Sequence, residues 1–153
     1  MSIVKFAIKG ESKTATKFEA KARGFSFVID EPGSLGGTNE APNPVEYLLG
    51  SLAGCLNIVL HLEAKEQNVV INNLKIDIEG DLDPAKFVGL PSFNRSGFQH
   101  INININLEAD ATEEIINNII NKAKARCPIS DILPALRKLI IQLQTNLRNC
   151  YEL

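Results

Sequence analysis

Several things are scarce or missing in this sequence: an excess of either charge, long apolar runs, clustered cysteines and histidine pairs. Sixteen basic residues face 18 acidic ones, for a formal net charge of −2. That balance argues against strong electrostatic binding of nucleic acid or a membrane surface. No uninterrupted run reaches the roughly 18–20 apolar residues of a membrane span. The opening MSIVKFAIKGESK has no charged start followed by a long apolar stretch, so no secretory signal is expected. A cytoplasmic, reducing environment follows as the default. The three cysteines, Cys55, Cys127 and Cys150, are too few and too odd in number for a disulfide framework. Their spacings, 72 and 23 residues, fit no zinc motif, and neither His61 nor His100 has a metal-binding companion at i+4. No metal site is therefore expected. Nucleotide-binding glycine motifs and the G-x-S-x-G elbow are also absent.

What remains is an ordinary globular composition, 44% hydrophobic and 22% charged over 153 residues. It suits one domain, residues 1–153. Residues 3–8 read as a first strand, with a turn at Gly10. Residues 14–21 and 25–30 read as the next two strands, joined by a tight turn at Ala22-Arg23-Gly24. EPGSLGGTNEAPNP, residues 31–44, is too rich in proline and glycine for regular structure and reads as an ordered loop. Asn43-Pro44 announces a helix, and Glu46 in its first turn suits the helix dipole. From Val45 to about Glu66, Leu48, Leu49, Leu52, Leu56, Val59, Leu60 and Leu62 cover most of the circumference, which predicts a buried central helix. A long strand follows to Leu82, then a turn, then a loop over 89–97. Ile101, Ile103, Ile105 and Leu107 alternate with asparagines, the mark of a half-buried antiparallel strand. Ile115, Ile116, Ile119 and Ile120 mark another helix, interrupted at Cys127-Pro128. A short helix to about Ala135 and a strand over 139–147 complete the chain. Segregated strands and helices predict an α+β fold.

Two thiols merit chemical attention. Cys55 sits inside the apolar helix near Gly50 and Gly54, which each cost about 1 kcal/mol in a helix interior. Cys127 starts a helix beside unpaired N–H groups, with Arg126 adjacent, surroundings that stabilise a thiolate. Buried, inert thiols are the plain alternative for each, and Glu46 alone is a surface acid at a helix start. Arg126, Arg137 and Lys138 read as a solvated basic cluster. Cys150, near the C-terminus, has no electrostatic support.

The run DEPGSLGGTNEAPNPVEYLLGSLAGC, Asp30 to Cys55, resembles the first cysteine motif of the OsmC/Ohr family of osmotically inducible and organic hydroperoxide resistance proteins. Arg126-Cys127-Pro128-Ile129-Ser130 resembles the second motif, and the likeness extends over essentially the whole chain. The resemblance implies antiparallel sheets wrapped around a buried central helix in an intertwined homodimer. It implies a thiol-dependent reductase of organic hydroperoxides with no cofactor, in which Cys55 is the peroxidatic thiol and Cys127 the resolving one. Glu46 corresponds to the family's acidic residue, one position later than in Ohr-type sequences. Arg23 or Arg95 is the candidate for the arginine that supports the reactive cysteine, and Arg95 with Leu52 for contacts to substrate. Electrons would come from an external dithiol such as a lipoyl protein, with neither nucleic acid nor membrane as partner. The competing expectation is a dimeric protein that binds a small ligand or handles thiols and sulfur, with little peroxidase turnover.

Overall fold

The computed structural model describes residues 2–133 and the backbone of residues 139–144. The chain forms two compact units, Met1–Leu48 and Leu49–Leu153. In the first, β1 (Lys9–Ser12), β2 (Phe18–Ala22) and β3 (Phe25–Ile29) form an antiparallel meander. The β2–β3 hairpin turns at Arg23-Gly24, and the positive φ of 57° belongs to Arg23, not to the glycine. Two expectations are corrected. Residues 3–8 form no strand, and Ile3, Val4, Phe6 and Ile8 are exposed. Apolar alternation is not enough for a strand where no neighbour supplies the hydrogen bonds. Gly10 is not a turn but lies in β1 opposite Ala20. A Cβ there would come within 2.5 Å of the Phe18 ring, so glycine makes room for the aromatic.

The loop after β3 is organised by one carboxylate. Asp30, fully buried, accepts hydrogen bonds from the backbone N–H groups of Glu31, Thr38 and Glu40 and from the Thr38 hydroxyl. The Thr38 hydroxyl bond, with the backbone donors behind it, lowers the Asp30 pKa to about 2 against the opposing effect of burial. A 3₁₀ turn at Gly33–Leu35 closes on Gly36, whose φ of 82° suits glycine.

The helix α1 runs from Pro44 to Glu66. The second unit continues with β4 (Ile71–Leu82), β5 (Phe98–Ala109), α2 (Glu113–Arg126), α3 (Pro128–Ile132) and β6 (Leu139–Gln144). β4 and β5 pair antiparallel, Ile78 opposite Ile103, and β6 joins β5 in parallel. The described end of β6, Gln144, precedes the expected Leu147, which lies outside the described residues along with Cys150, Arg137, Lys138 and the expected end of the short helix at Ala135. Ile101, Ile103, Ile105 and Leu107 are buried, as the alternation predicts, together with Ile116, Ile119, Ile120 and Ala123 of α2. Thr112 caps α2 by accepting from the Ile115 N–H.

α1 departs from expectation in two ways. Its 23 residues, with an 18-residue window of mean hydropathy 1.5, do reach the length and composition of a membrane span. A soluble core helix passes the same test, and α1 buries Leu52, Leu56, Val59, Leu60, Glu63 and Ala64 within protein. It is not buried all round, however. Ile58 and Leu62 are exposed, and a Cβ on Gly50 or Gly54 would meet nothing within 4 Å.

Candidate active site

Local chemistry fixes both ends of the helix that carries Cys55. At its start, the Glu46 N–H donates to Asn43 Oδ1 at 2.9 Å, and the Asn43 N–H donates to Glu46 Oε2 at 2.8 Å. This reciprocal capping box satisfies two backbone donors and engages the Glu46 carboxylate locally. Nine residues along the helix lies Cys55, about 14 Å away by helical rise. Towards the other end, Glu63 is buried and forms an ion pair with Arg126, which also bonds both carboxylate oxygens of Glu66 at 3.0 Å.

Arg126 is the last residue of α2, and the next residue, Cys127, serves both helices: it ends α2 and caps α3. Pro128 at the first position of α3 holds the chain in helical conformation without needing a backbone donor there. The Ser130 N–H donates to Cys127 Sγ at 3.4 Å. The Cys127 sulfur lies 3.0 Å from that of Cys55, close enough to share a thiol proton. Cys127 is buried, while Cys55 keeps partial exposure.

The two thiols are electrostatically unequal. Burial pushes the Cys55 thiol up, and the contact with Cys127 adds to this against one N–H, from Ile129. Burial is the largest influence on Cys127 and opposes its ionisation, but the contact with Cys55 and the N–H groups of Ser130 and Ile129 together outweigh it. The net displacement at Cys127 is downward. More N–H donors gather around Cys127, and the more reachable sulfur is Cys55.

The other expected residues lie in local arrangements. Arg23 stacks over the Phe25 ring, 5.1 Å from its centroid. Arg95 donates through Nη1 to the Phe98 carbonyl at 2.8 Å. It belongs to a loop pinned by Asp83, whose carboxylate accepts from Ala85, Ser92 and Asn94 and whose pKa falls to about 2, chiefly through the Ala85 N–H. Neither contact involves a sulfur. Leu52 is fully buried. Among the described residues, no group of three or more His, Cys, Asp or Glu side chains is arranged to hold a metal ion. Sequence reasoning missed Glu63 and Glu66 altogether. The available signal was an acidic residue, Glu63, in register with Leu52, Leu56 and Leu60 on the buried side of an apolar helix.

The family model described as OsmC-like protein matches residues 37–138, a span that includes both cysteines of the pair. The chain belongs to the OsmC-like protein family. Solved structures agree on the fold. An OsmC like protein from Mycoplasma pneumoniae superposes with a TM-score of 0.77 at 22% identity, covering 93% of this chain and 96% of that one. An organic hydroperoxide resistance protein from Elizabethkingia anophelis gives a TM-score of 0.65 at 16% identity, with 94% and 96% covered. The organic hydroperoxide resistance protein OhrB of Bacillus subtilis gives 0.60 at 20% identity, with 94% and 99% covered. A search of curated protein sequences finds no match. This OsmC-like chain thus has the mixed α+β fold of the family, with antiparallel strand pairs and a long central helix.

Proposed function

We propose that this OsmC-like chain reduces organic hydroperoxides with its dithiol, in defence against oxidative stress. The observation that carries the reading is the 3.0 Å approach of the Cys55 and Cys127 sulfurs. The family includes hydroperoxide resistance proteins, among them those of Elizabethkingia anophelis and Bacillus subtilis. Cys55, the more exposed thiol, attacks the outer peroxide oxygen as its thiolate. The O–O bond breaks, the alcohol leaves with a proton, and Cys55 becomes a sulfenic acid. Cys127 then displaces water from that sulfenic acid and closes the disulfide. An external dithiol, such as a dihydrolipoyl protein, restores both thiols by exchange. The short contact between the sulfurs gives the Cys55 proton a route to Cys127 before attack.

Within this reading the whole chain, residues 1–153, acts as one domain of a cytoplasmic homodimer; the family match, residues 37–138, takes in the end of the first compact unit and most of the second. The exposed Ile58 and Leu62, the open space beside Gly50 and Gly54, and the exposed Ile3 and Phe6 support a second copy as the covering partner. Arg23, Arg95 and Leu52 keep the roles implied by resemblance only as part of this proposal, in which Glu46 serves as the capping acid at the start of α1. Steady-state consumption of cumene hydroperoxide, with dihydrolipoamide, thioredoxin or glutathione supplied in turn, tests it. Turnover with a dithiol supports the reading, and none with any donor refutes it.

A second reading is a protein that binds a small ligand or handles thiols and sulfur without efficient peroxide turnover. The observation in its favour is the upward shift of the Cys55 thiol. Slow disulfide formation on mixing with peroxide, but rapid exchange with low-molecular-weight disulfides, would favour it.

A further inference from the structure

Arg126 and Cys127 are consecutive residues, and each is attached to a different point on α1. The sulfur of Cys127 lies against Cys55. The guanidinium of Arg126 bonds the buried carboxylate of Glu63 and both oxygens of Glu66. Glu63 and Glu66 follow Cys55 by eight and 11 residues on the same helix, about 12 and 17 Å along its axis. One attachment point would leave the α2–α3 corner free to pivot about the other. Two points, set apart along one rigid helix, fix its position.

The chemistry of the cluster suits this role. Glu63 is 2% exposed, and a buried carboxylate persists only when paired, so its partner is strongly determined. A single guanidinium nitrogen, Nη1, reaches both carboxylates, so Glu63 and Glu66 converge on one point of the Arg126 side chain. The cluster touches neither sulfur in any described contact, and the Arg126 charge is balanced by two carboxylates, so its effect on the thiols is through position.

We infer that Glu63, Arg126 and Glu66 form a positioning clamp that holds Cys127 within bonding reach of Cys55 and so sets how readily the pair closes into a disulfide. The inference builds on the proposed dithiol chemistry but needs only disulfide closure, not peroxide turnover. Closure shortens the sulfur separation from 3.0 Å to about 2.05 Å. A corner already held at this distance needs little further ordering, whereas a loosened corner must be ordered first. Loosening the clamp should therefore favour the dithiol.

The test is equilibration of the full-length protein with glutathione and glutathione disulfide. Two protein thiols are oxidised to one disulfide while one glutathione disulfide is reduced to two glutathiones. After acid quenching and alkylation, peptide mapping separates the Cys55–Cys127 disulfide from any involving Cys150. Arg126→Gln should lower the equilibrium constant about tenfold, equivalent to about 30 mV for this two-electron couple. Glu66→Gln, at the exposed end of the cluster, should lower it less, about threefold. In stopped-flow experiments Arg126→Gln should slow condensation of the sulfenic acid while leaving the rate of first oxidation unchanged, a split that general destabilisation would not produce. If Arg126→Gln does not fold, the Glu63→Gln/Arg126→Gln protein carries the test, because it removes the ion pair without stranding a buried charge. Wild-type equilibrium constants in whichever of these folds would overturn the inference. Failure of the wild-type protein to consume peroxide, with the disulfide still closing and still weakened by the variants, would refute the proposed function and leave the clamp standing.

Discussion

The sulfurs of Cys55 and Cys127 stand 3.0 Å apart although 72 residues separate them in the chain. A mid-helix residue and a residue at the junction of two helices meet there, and only one of the two has a set of backbone donors around it. Hydrogen-bond donors and access are thereby divided between the thiols.

The single-cysteine variants separate their roles. With one equivalent of cumene hydroperoxide, Cys127→Ser should gain about 16 or 32 Da at Cys55, as sulfenic or sulfinic acid, with no disulfide. Cys55→Ser should show no rapid oxygen addition at Cys127, because that sulfur is buried. The reverse pattern in intact-mass and peptide spectra would mean that acidity, not access, selects the attacking thiol. Cys150→Ser should retain the wild-type rate of peroxide consumption.

Glu46→Gln should fold normally, because a glutamine oxygen can still accept from the Asn43 N–H. Its second-order rate with peroxide should remain within about twofold of wild type, and a tenfold loss, about 1.4 kcal/mol in the barrier, would return Glu46 to the catalytic machinery. Asn43→Ala should destabilise the protein by about 1 kcal/mol, the usual worth of a helix cap, measured by urea denaturation.

Asp30 predicts a specific acid response. Its pKa in the folded chain, about 2, lies below the ordinary 3.8. A lowered carboxylate stabilises the fold fully above the ordinary value, and that contribution is lost as pH falls through the folded value. The loop carrying Thr38 and Glu40 should therefore loosen between about pH 4 and pH 2. Carboxyl-carbon NMR of Asp30 should titrate in that range. Asp30→Asn should be less stable at neutral pH and lose less on acidification, and a titration midpoint near 4 would contradict the assignment.

Light scattering at micromolar concentration should report twice the 16.8 kDa chain mass. A stable folded monomer would eliminate a second copy as the cover for Ile58 and Leu62.

Periodicity revealed most of the secondary structure. The asparagine–isoleucine alternation became β5, Thr112 and the isoleucines became α2, and Asn43-Pro44 opened α1. These signals are local, and local hydrogen bonding realises them. The errors arose where partners decide the outcome. Residues 3–8 have strand-like composition but no ladder, and Gly10, where the sequence suggests a turn, lies in a strand and its small size serves the Phe18 ring across the hairpin. At the site, both cysteines were identifiable because each stands in a distinctive motif. Their proximity was implied only by resemblance, since no spacing rule brings together residues so far apart in sequence. Glu63 was missed for a related reason: one acid in an apolar helix does not say where its arginine will come from.

The junction at Cys127 also makes the length of α2 a ruler. The helix has 14 residues between its threonine cap and the cysteine. Each residue advances an α-helix by about 1.5 Å and about 100°. Inserting one alanine into α2 would swing the cysteine sulfur around the barrel of the helix and leave it facing away from its partner, with composition, capping and charge all preserved. Related chains that keep the same dithiol should accordingly vary freely in the loop before Thr112 but preserve the number of residues between that cap and the cysteine.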